Sequence, residues 1–378
     1  MRSISFVWSV IASVLLSFYP GVQDAKKRID TYERAGRYDQ ALDVARETQK
    51  KLLNNNGDKV SNLSPIIVQL EEKLLHLGYS GIFFSQDGKP QPKLCQLLQI
   101  LGMQEPSKKS IEEISAWAQA NLLRKGERWQ AQTSRFEPLR NSLQPLLADL
   151  GFINGKSAHF QKYTGAIVHG ALLPAVRIRL YYLIKQWKEG VRFSDLYFLS
   201  GERPLDPQRE NQDELIKDKN SPLKIRKDWK LLDFPKTECE MIQLIWEQSE
   251  LPEAMKQQIK VHFINAPIKN NLRPTTDDTV EAWLKIAPSV GNYLAVTNSP
   301  YINRQDVVTR TVAAQAYGFD TIGPALGSEV KMAIVLDELA RLIFMLSRNE
   351  KLEKRATKLP SFSSKLRFDA TDMRDKVA

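Results

Sequence analysis

Through residues 26–150 apolar side chains recur every three or four positions and β-branched runs are few, a spacing that predicts helices joined by short polar links. Helices are expected over 64–76, 93–101, 111–123 and 128–150, while 79–93, with Asp87-Gly88 and two prolines, reads as a loop or small hairpin. After Gly151 the texture changes. Short apolar runs rich in β-branched and aromatic residues, at 165–169, 196–200, 261–264 and 293–297, alternate with helical patterns at 173–188, 237–248, 276–286 and 304–317. Buried strands alternating with crossover helices predict an α/β fold: a Rossmann-like parallel sheet domain over 155–330, preceded by an all-α helical domain over 26–150. A last amphipathic helix over 329–348 and a basic tail complete a C-terminal segment of 331–378.

Within the helical half, the run from Tyr32 to Leu42 resembles the turn of a tetratricopeptide unit, with a small Gly at the bend and aromatic and Ala side chains packing between two helices. One unit is found. Such hairpins need about three stacked copies to bury a continuous core, so an isolated helical hairpin is the simpler reading. At the start of the chain Arg2 precedes an uncharged stretch, 3–23, that holds the apolar run 4–18 and ends near the helix-ending pair Pro20-Gly21. Residues 1–25 therefore have the shape of a signal peptide or membrane anchor, which implies a periplasmic or membrane-anchored protein. Lys26, Lys27 and Arg28 follow at once and oppose translocation, and Gln23 makes a poor processing site, so a buried amphipathic helix is the competing reading.

Composition narrows the function classes. The net charge of +10 is spread along the chain, and no zinc finger, basic zipper or RNA-recognition pattern gathers it on one face, so no sequence-specific nucleic-acid partner is expected. Its densest cluster is Arg348, Lys351, Lys354, Arg355, Lys358, Lys365 and Arg367, either a solvated helix end and tail or an anionic-membrane contact. With only Cys95 and Cys239, a disulfide framework and a Cys-rich zinc module are excluded. No metal site is expected.

In open α/β sheets ligands sit beyond the carboxyl ends of the strands. The turns there are His169-Gly170-Ala171, Ser200-Gly201-Glu202-Arg203-Pro204 and Thr297-Asn298-Ser299-Pro300-Tyr301, with Arg304 opening the next helix. Glycine lets a backbone N–H approach an anion and a helix N-terminus favours negative charge, so together these turns predict an anion or nucleotide pocket. Arg177 and Arg304 can clamp a phosphate or carboxylate, and Glu238 and Glu202 can orient a hydroxyl or act as general base; the alternative is that these groups pair with one another. His169 and His262 read as packed strand residues. Asp277-Asp278 fits a cation site or, equally, a helix N-terminal device. Residues 198–202 lack the Gly-x-Ser-x-Gly elbow, which argues against Ser200 as a nucleophile, and Walker and dinucleotide glycine motifs are absent. The charged insertion 208–233 is either a lid or a solvated loop.

The order of these pieces adds to each. Ile167-Val168-x-Gly170, Arg177 and Arg179 on one helix, Leu199-Ser200-Gly201, Thr237-Glu238-x-x-Met241, Thr276-x-Asp278-Thr279-x-Glu281, then Val296-Thr297-Asn298-Ser299 and Arg304 resemble the YdcF-like family over residues 160–325. Where that family has His in its last motif this chain has Tyr301, with Pro300 before it, and the family's Asn after Glu281 is Ala282. The resemblance implies a Rossmann-like domain, often membrane-tethered in bacteria and linked to envelope maintenance, with a nucleotide-type or methyl-donor ligand. Gly170, Ser200, Gly201, Thr279, Thr297, Asn298, Ser299, Tyr301 and Arg304 would then line the ligand site. Two functions follow: a transferase or hydrolase acting on an envelope precursor, or a non-catalytic binding module whose helical half holds a protein partner. No cofactor is identified.

Overall fold

The computed structural model describes residues 20–56, 63–85, 87–124, 126, 135–216, 221–313 and 315–358. The apolar run 4–18 and tail residues Lys365 and Arg367 lie outside them. Among the described residues six α-helices come first: α1 (Pro20–Arg34), α2 (Tyr38–Asn56), α3 (Ser64–Leu77), α4 (Pro92–Ile100), α5 (Ile111–Leu122) and α6 (Arg140–Asp149). Pro20 and Gly21 belong to the first turn of α1, where the sequence suggested a helix end. α1 and α2 form the expected hairpin. Gly36 at its bend has φ +66°, and a Cβ there would lie 2.2 Å from the Gly81 carbonyl carbon, so the bend seats directly on the short 3₁₀ turn Ser80–Ile82. α5 begins with a reciprocal cap, Ser110 Oγ accepting from the Glu113 N–H and the Glu113 carboxylate accepting from the Ser110 N–H.

The second half alternates strands and helices: β1 (Gly165–His169), α7 (Leu173–Lys188), β2 (Asp195–Gly201), α8 (Gln212–Ile216), α9 (Glu238–Gln248), α10 (Glu253–Gln258), β3 (Lys260–Ala266), α11 (Thr276–Lys285), β4 (Gly291–Val296), α12 (Ile302–Ala313), β5 (Tyr317–Ile322) and α13 (Met332–Lys358). All pairings are parallel, in the order β3-β2-β1-β4-β5, which is the Rossmann-like α/β arrangement expected. Side chains alternate across the sheet. Ala166, Val168, Phe198, Leu294 and Val296 pack with α7 and α9, while Ile167, Tyr197, Leu199, Tyr293 and Ala295 pack with Val280 and Trp283 of α11.

β5 was not anticipated, and the preceding helix was expected to reach residue 317. It stops at Ala313. The buried polar residues of β5, Asp320 and Thr321, break the apolar signature of a strand; Asp320 accepts from the His159 N–H at 2.7 Å and meets His159 Nδ1 at 2.8 Å. α3 and Tyr79 cover this edge strand, with the Tyr79 hydroxyl donating to the Thr321 carbonyl at 3.3 Å. Among the described residues the helical half has no core apart from the rest: one apolar cluster joins Leu42, Leu74, Leu98 and Ile114 to Ile302 and Val308 of α12 and to Leu336, Leu339 and Ile343 of α13. Cys95 and Cys239 are both unpaired. Among the described residues no helix is long and apolar enough to cross a membrane.

Candidate functional site

The sheet reverses its winding between β1 and β4, and over the carboxyl ends of β1 and β2 beside that reversal lies a cavity of about 280 Å³. Its floor is the turn after β1. A Cβ on Gly170 would stand 2.6 Å from both Glu238 Oε1 and the Leu199 carbonyl, so only glycine lets the β1 turn pass between β2 and α9. The Gly170 N–H donates to Leu199 at 2.6 Å. From β2 come Ser200, whose hydroxyl donates to the Ile264 carbonyl at 2.8 Å, and Gly201, against which the Pro274 ring packs.

Thr237 caps α9, its hydroxyl accepting from the Glu240 N–H at 3.3 Å, and this fixes Glu238 at the first helical position, facing Gly170. The carboxylate of Glu238 lies 3.1 Å from Arg203 Nε and accepts the Gly201 N–H. Burial pushes its pKa up, and Arg203 and Arg273 pull part of that back. Among the described residues it is the only carboxylate that lines the cavity, whereas Arg179, Arg273, Arg304 and Arg341 all line it. Thr275, Thr276 and Thr279, at the start of α11, form the far wall with Tyr301 and Gln305. His169 lines the cavity at 1% exposure; burial, with Arg179 and Arg304 nearby, pushes its pKa down to about 3, so the imidazole is neutral at physiological pH.

Of the residues singled out from sequence, Gly170, Ser200, Gly201, Glu238, Thr279, Tyr301 and Arg304 meet at this cavity. Five others do not. Arg177 turns away and donates to the carbonyls of Glu214 and Leu215 at 3.0 and 2.7 Å. Two positions apart on a helix is about 200°, so only one of Arg177 and Arg179 can face the sheet edge, and Arg179 does. The Arg179 guanidinium donates to the His169 and Gly170 carbonyls and to Asn298 Oδ1, each at 2.8 Å, and thereby ties β1 to the turn after β4. Asn298 is consumed as that acceptor. Thr297 donates to Gln305 Oε1, and Ser299 to the Asn154 carbonyl at 3.1 Å, so both brace the turn. Glu202 lies on the outer rim, accepting from the Ile268 N–H at 3.3 Å.

Arg304 is placed for either role that the sequence left open. It faces the cavity, and its Nε sits 2.5 Å from the fully buried Glu338 of α13. Asp278 is a helix cap, accepting the Thr275 N–H at 2.8 Å, and holds Lys269 at 2.8 Å; that contact lowers its pKa to about 2. No group of three or more metal-ligating side chains occurs among the described residues. His262 packs as expected, stacked on Tyr197 and 2.9 Å from Asp195. None of the described residues of the insertion lines the cavity, and residues 226 and 228–235 border a separate groove against α9.

Sequence reasoning missed Arg273, Arg341 and Gln305. Arg273 stands in an irregular turn and Arg341 on a helix outside the sheet, and neither carries a local pattern. Compared with known proteins, the chain matches no family model, no curated protein and no solved structure.

Proposed function

We propose that the cavity binds a small anionic metabolite, bearing a phosphate or a carboxylate, at the carboxyl edge of the sheet. The observation that carries this is the convergence of Arg179, Arg273, Arg304 and Arg341 on one cavity whose only lining carboxylate among the described residues is Glu238. On the facing wall Thr275 donates its hydroxyl to Asp278 Oδ2 at 2.7 Å and Thr279 to the Thr276 carbonyl at 3.0 Å, while the Thr276 hydroxyl suits an oxyanion acceptor. At about 280 Å³ the cavity suits a phosphate or sugar phosphate better than a dinucleotide. In the enzymatic form of this reading Glu238, whose pKa burial raises, exchanges a proton with the bound ligand, and neutral His169 offers a hydrogen bond. The order of the strand-end motifs supports a YdcF-like protein, and the uncharged stretch 3–23 supports a site of action at the bacterial envelope.

A second reading, a binding module without catalysis, is favoured by Tyr301, which replaces the histidine of the family motif and whose ring lies 6.0 Å from the Arg179 guanidinium. Thermal denaturation of the full chain with inorganic phosphate, pyrophosphate, sugar phosphates, nucleotides and dicarboxylates tests the site. A ligand at 100 times its Kd should add about 2.7 kcal/mol of stability. Absence of stabilisation by every anion, at low ionic strength, rejects it; turnover of a stabilising ligand then separates the enzyme from the binding module.

A further inference from the structure

Two of the four cavity arginines already hold an acid of the chain itself. Arg304 pairs with Glu338 at 2.5 Å, and Arg341 donates through Nε to Asp337 Oδ2 at 2.9 Å and through NH2 to Oδ1 at 3.3 Å. Asp337 and Glu338 are consecutive on α13, fully buried, and do not line the cavity. Successive helical positions diverge by about 100°, which lets one acid reach α12 and its neighbour reach Arg341 and the end of α5. There Arg124 donates its backbone N–H to Asp337 Oδ1 at 3.2 Å and holds its Nε 3.2 Å from Oδ2, while Gln119 donates to the Ala340 carbonyl at 2.8 Å.

We propose that Asp337 and Glu338 are internal counter-anions that set the affinity of the anion site, and that Arg124 of the helical half tunes it through Asp337. The proposal rests on the anion-binding reading of the cavity and adds what regulates it. A ligand anion must share Arg304 and Arg341 with two carboxylates that water reaches poorly, and like charges at short range in a buried setting oppose its entry. Arg124 neutralises part of Asp337 and leaves more of Arg341 for the ligand. Arg124 and Asp337 are thus positioning residues, acting on the ligand through Arg341, and packing at the end of α5 is felt in the cavity.

Titration calorimetry of the full chain with inorganic phosphate, at constant low ionic strength, tests this on Asp337→Asn, Glu338→Gln and Arg124→Gln. The two acid replacements should each tighten phosphate binding by about three- to tenfold, although each lowers the thermal midpoint, because one competing charge-assisted bond is gone. Arg124→Gln should weaken binding by a similar factor, and Arg124→Lys should restore part of it. A purely structural role moves stability in all three variants and does not produce opposite signs in affinity. If Asp337→Asn does not fold, Glu338→Gln carries the test. Phosphate binding by the parent chain with unchanged or weakened binding in the folded acid variant overturns the proposal alone. No phosphate binding by parent or variants overturns the anion-site reading together with it.

Discussion

The carboxyl edge of the sheet is built in two different ways on its two sides. Beside β1 and α7, where an open α/β sheet commonly receives an anion, the chain has filled the place itself: Glu210 from the insertion accepts the Leu173 N–H at the start of α7 at 3.1 Å. Arg203 clamps that carboxylate with two bonds of 2.7 and 2.8 Å and reaches Glu238 with its Nε. Toward α12 and α13, over the ends of β1 and β2, arginines face open cavity volume and their acids stand behind them. An internal carboxylate at a helix N-terminus seals one side, while the same kind of pairing on the other side leaves the cations turned outward. Glycine turns and helix starts look alike on the two sides in sequence. What separates them is Glu210, some 40 positions beyond β1 in a segment whose charge pattern reads as solvated loop.

The largest effect that would break this contrast is on stability. Arg203→Ala leaves Glu210 and Glu238 buried without their shared cation and should cost about 3 to 5 kcal/mol in denaturant unfolding. A loss below about 1 kcal/mol would mean that the sealed side is not sealed by this pair. Arg304→Ala should cost less, about 1 to 3 kcal/mol, because one buried carboxylate, Glu338, loses its cation where Arg203→Ala strands two, while anion binding weakens by about 1.5 to 3 kcal/mol. The double change Arg304→Ala with Glu338→Gln should recover stability without recovering affinity. Recovery of both, or of neither, would show that the two roles of Arg304 cannot be separated.

Gly170→Ala comes next. Its methyl would meet the Leu199 carbonyl and Glu238 Oε1 at 2.6 Å, one of them backbone, so a loss of about 1 to 3 kcal/mol is expected, with Glu238 displaced from the cavity. An alanine variant of parental stability would mean that the turn has slack.

The glycines, like the first four strands, were readable because their signals are local: apolar runs of strand length, and small residues where they end. β5 was not, since its strand character depends on Asp320 finding His159 and Tyr163, partners more than 150 positions away. The same holds within the site. Gly170, Ser200, Gly201 and Arg304 were legible from their place after a strand. Choosing between Arg177 and Arg179 requires the rotation of α7, and finding Arg341 requires knowing that α13 returns to the sheet edge.

A last effect, smallest when read per pH unit, bears on the boundary between the two sides, where His169 sits. Its pKa is pushed from 6.5 to about 3 by burial and by Arg179 and Arg304, so the unfolded chain takes up a proton that the native chain refuses. Native stability therefore falls as pH drops below 6.5 and this loss levels off near pH 3; above 6.5 the residue contributes no slope. Between about pH 6 and 4 the contribution of one such proton is about 1.4 kcal/mol per pH unit. His169→Gln removes it, whatever it does to the baseline, so the stability of the variant should fall less steeply with acid than that of the parent across that window. Parallel curves would mean that His169 protonates in place, with enough water or negative charge beside it to hold the imidazolium. The arginines around the cavity would then be more fully compensated than their arrangement implies, and the contrast between a sealed and an open side would lose its electrostatic basis.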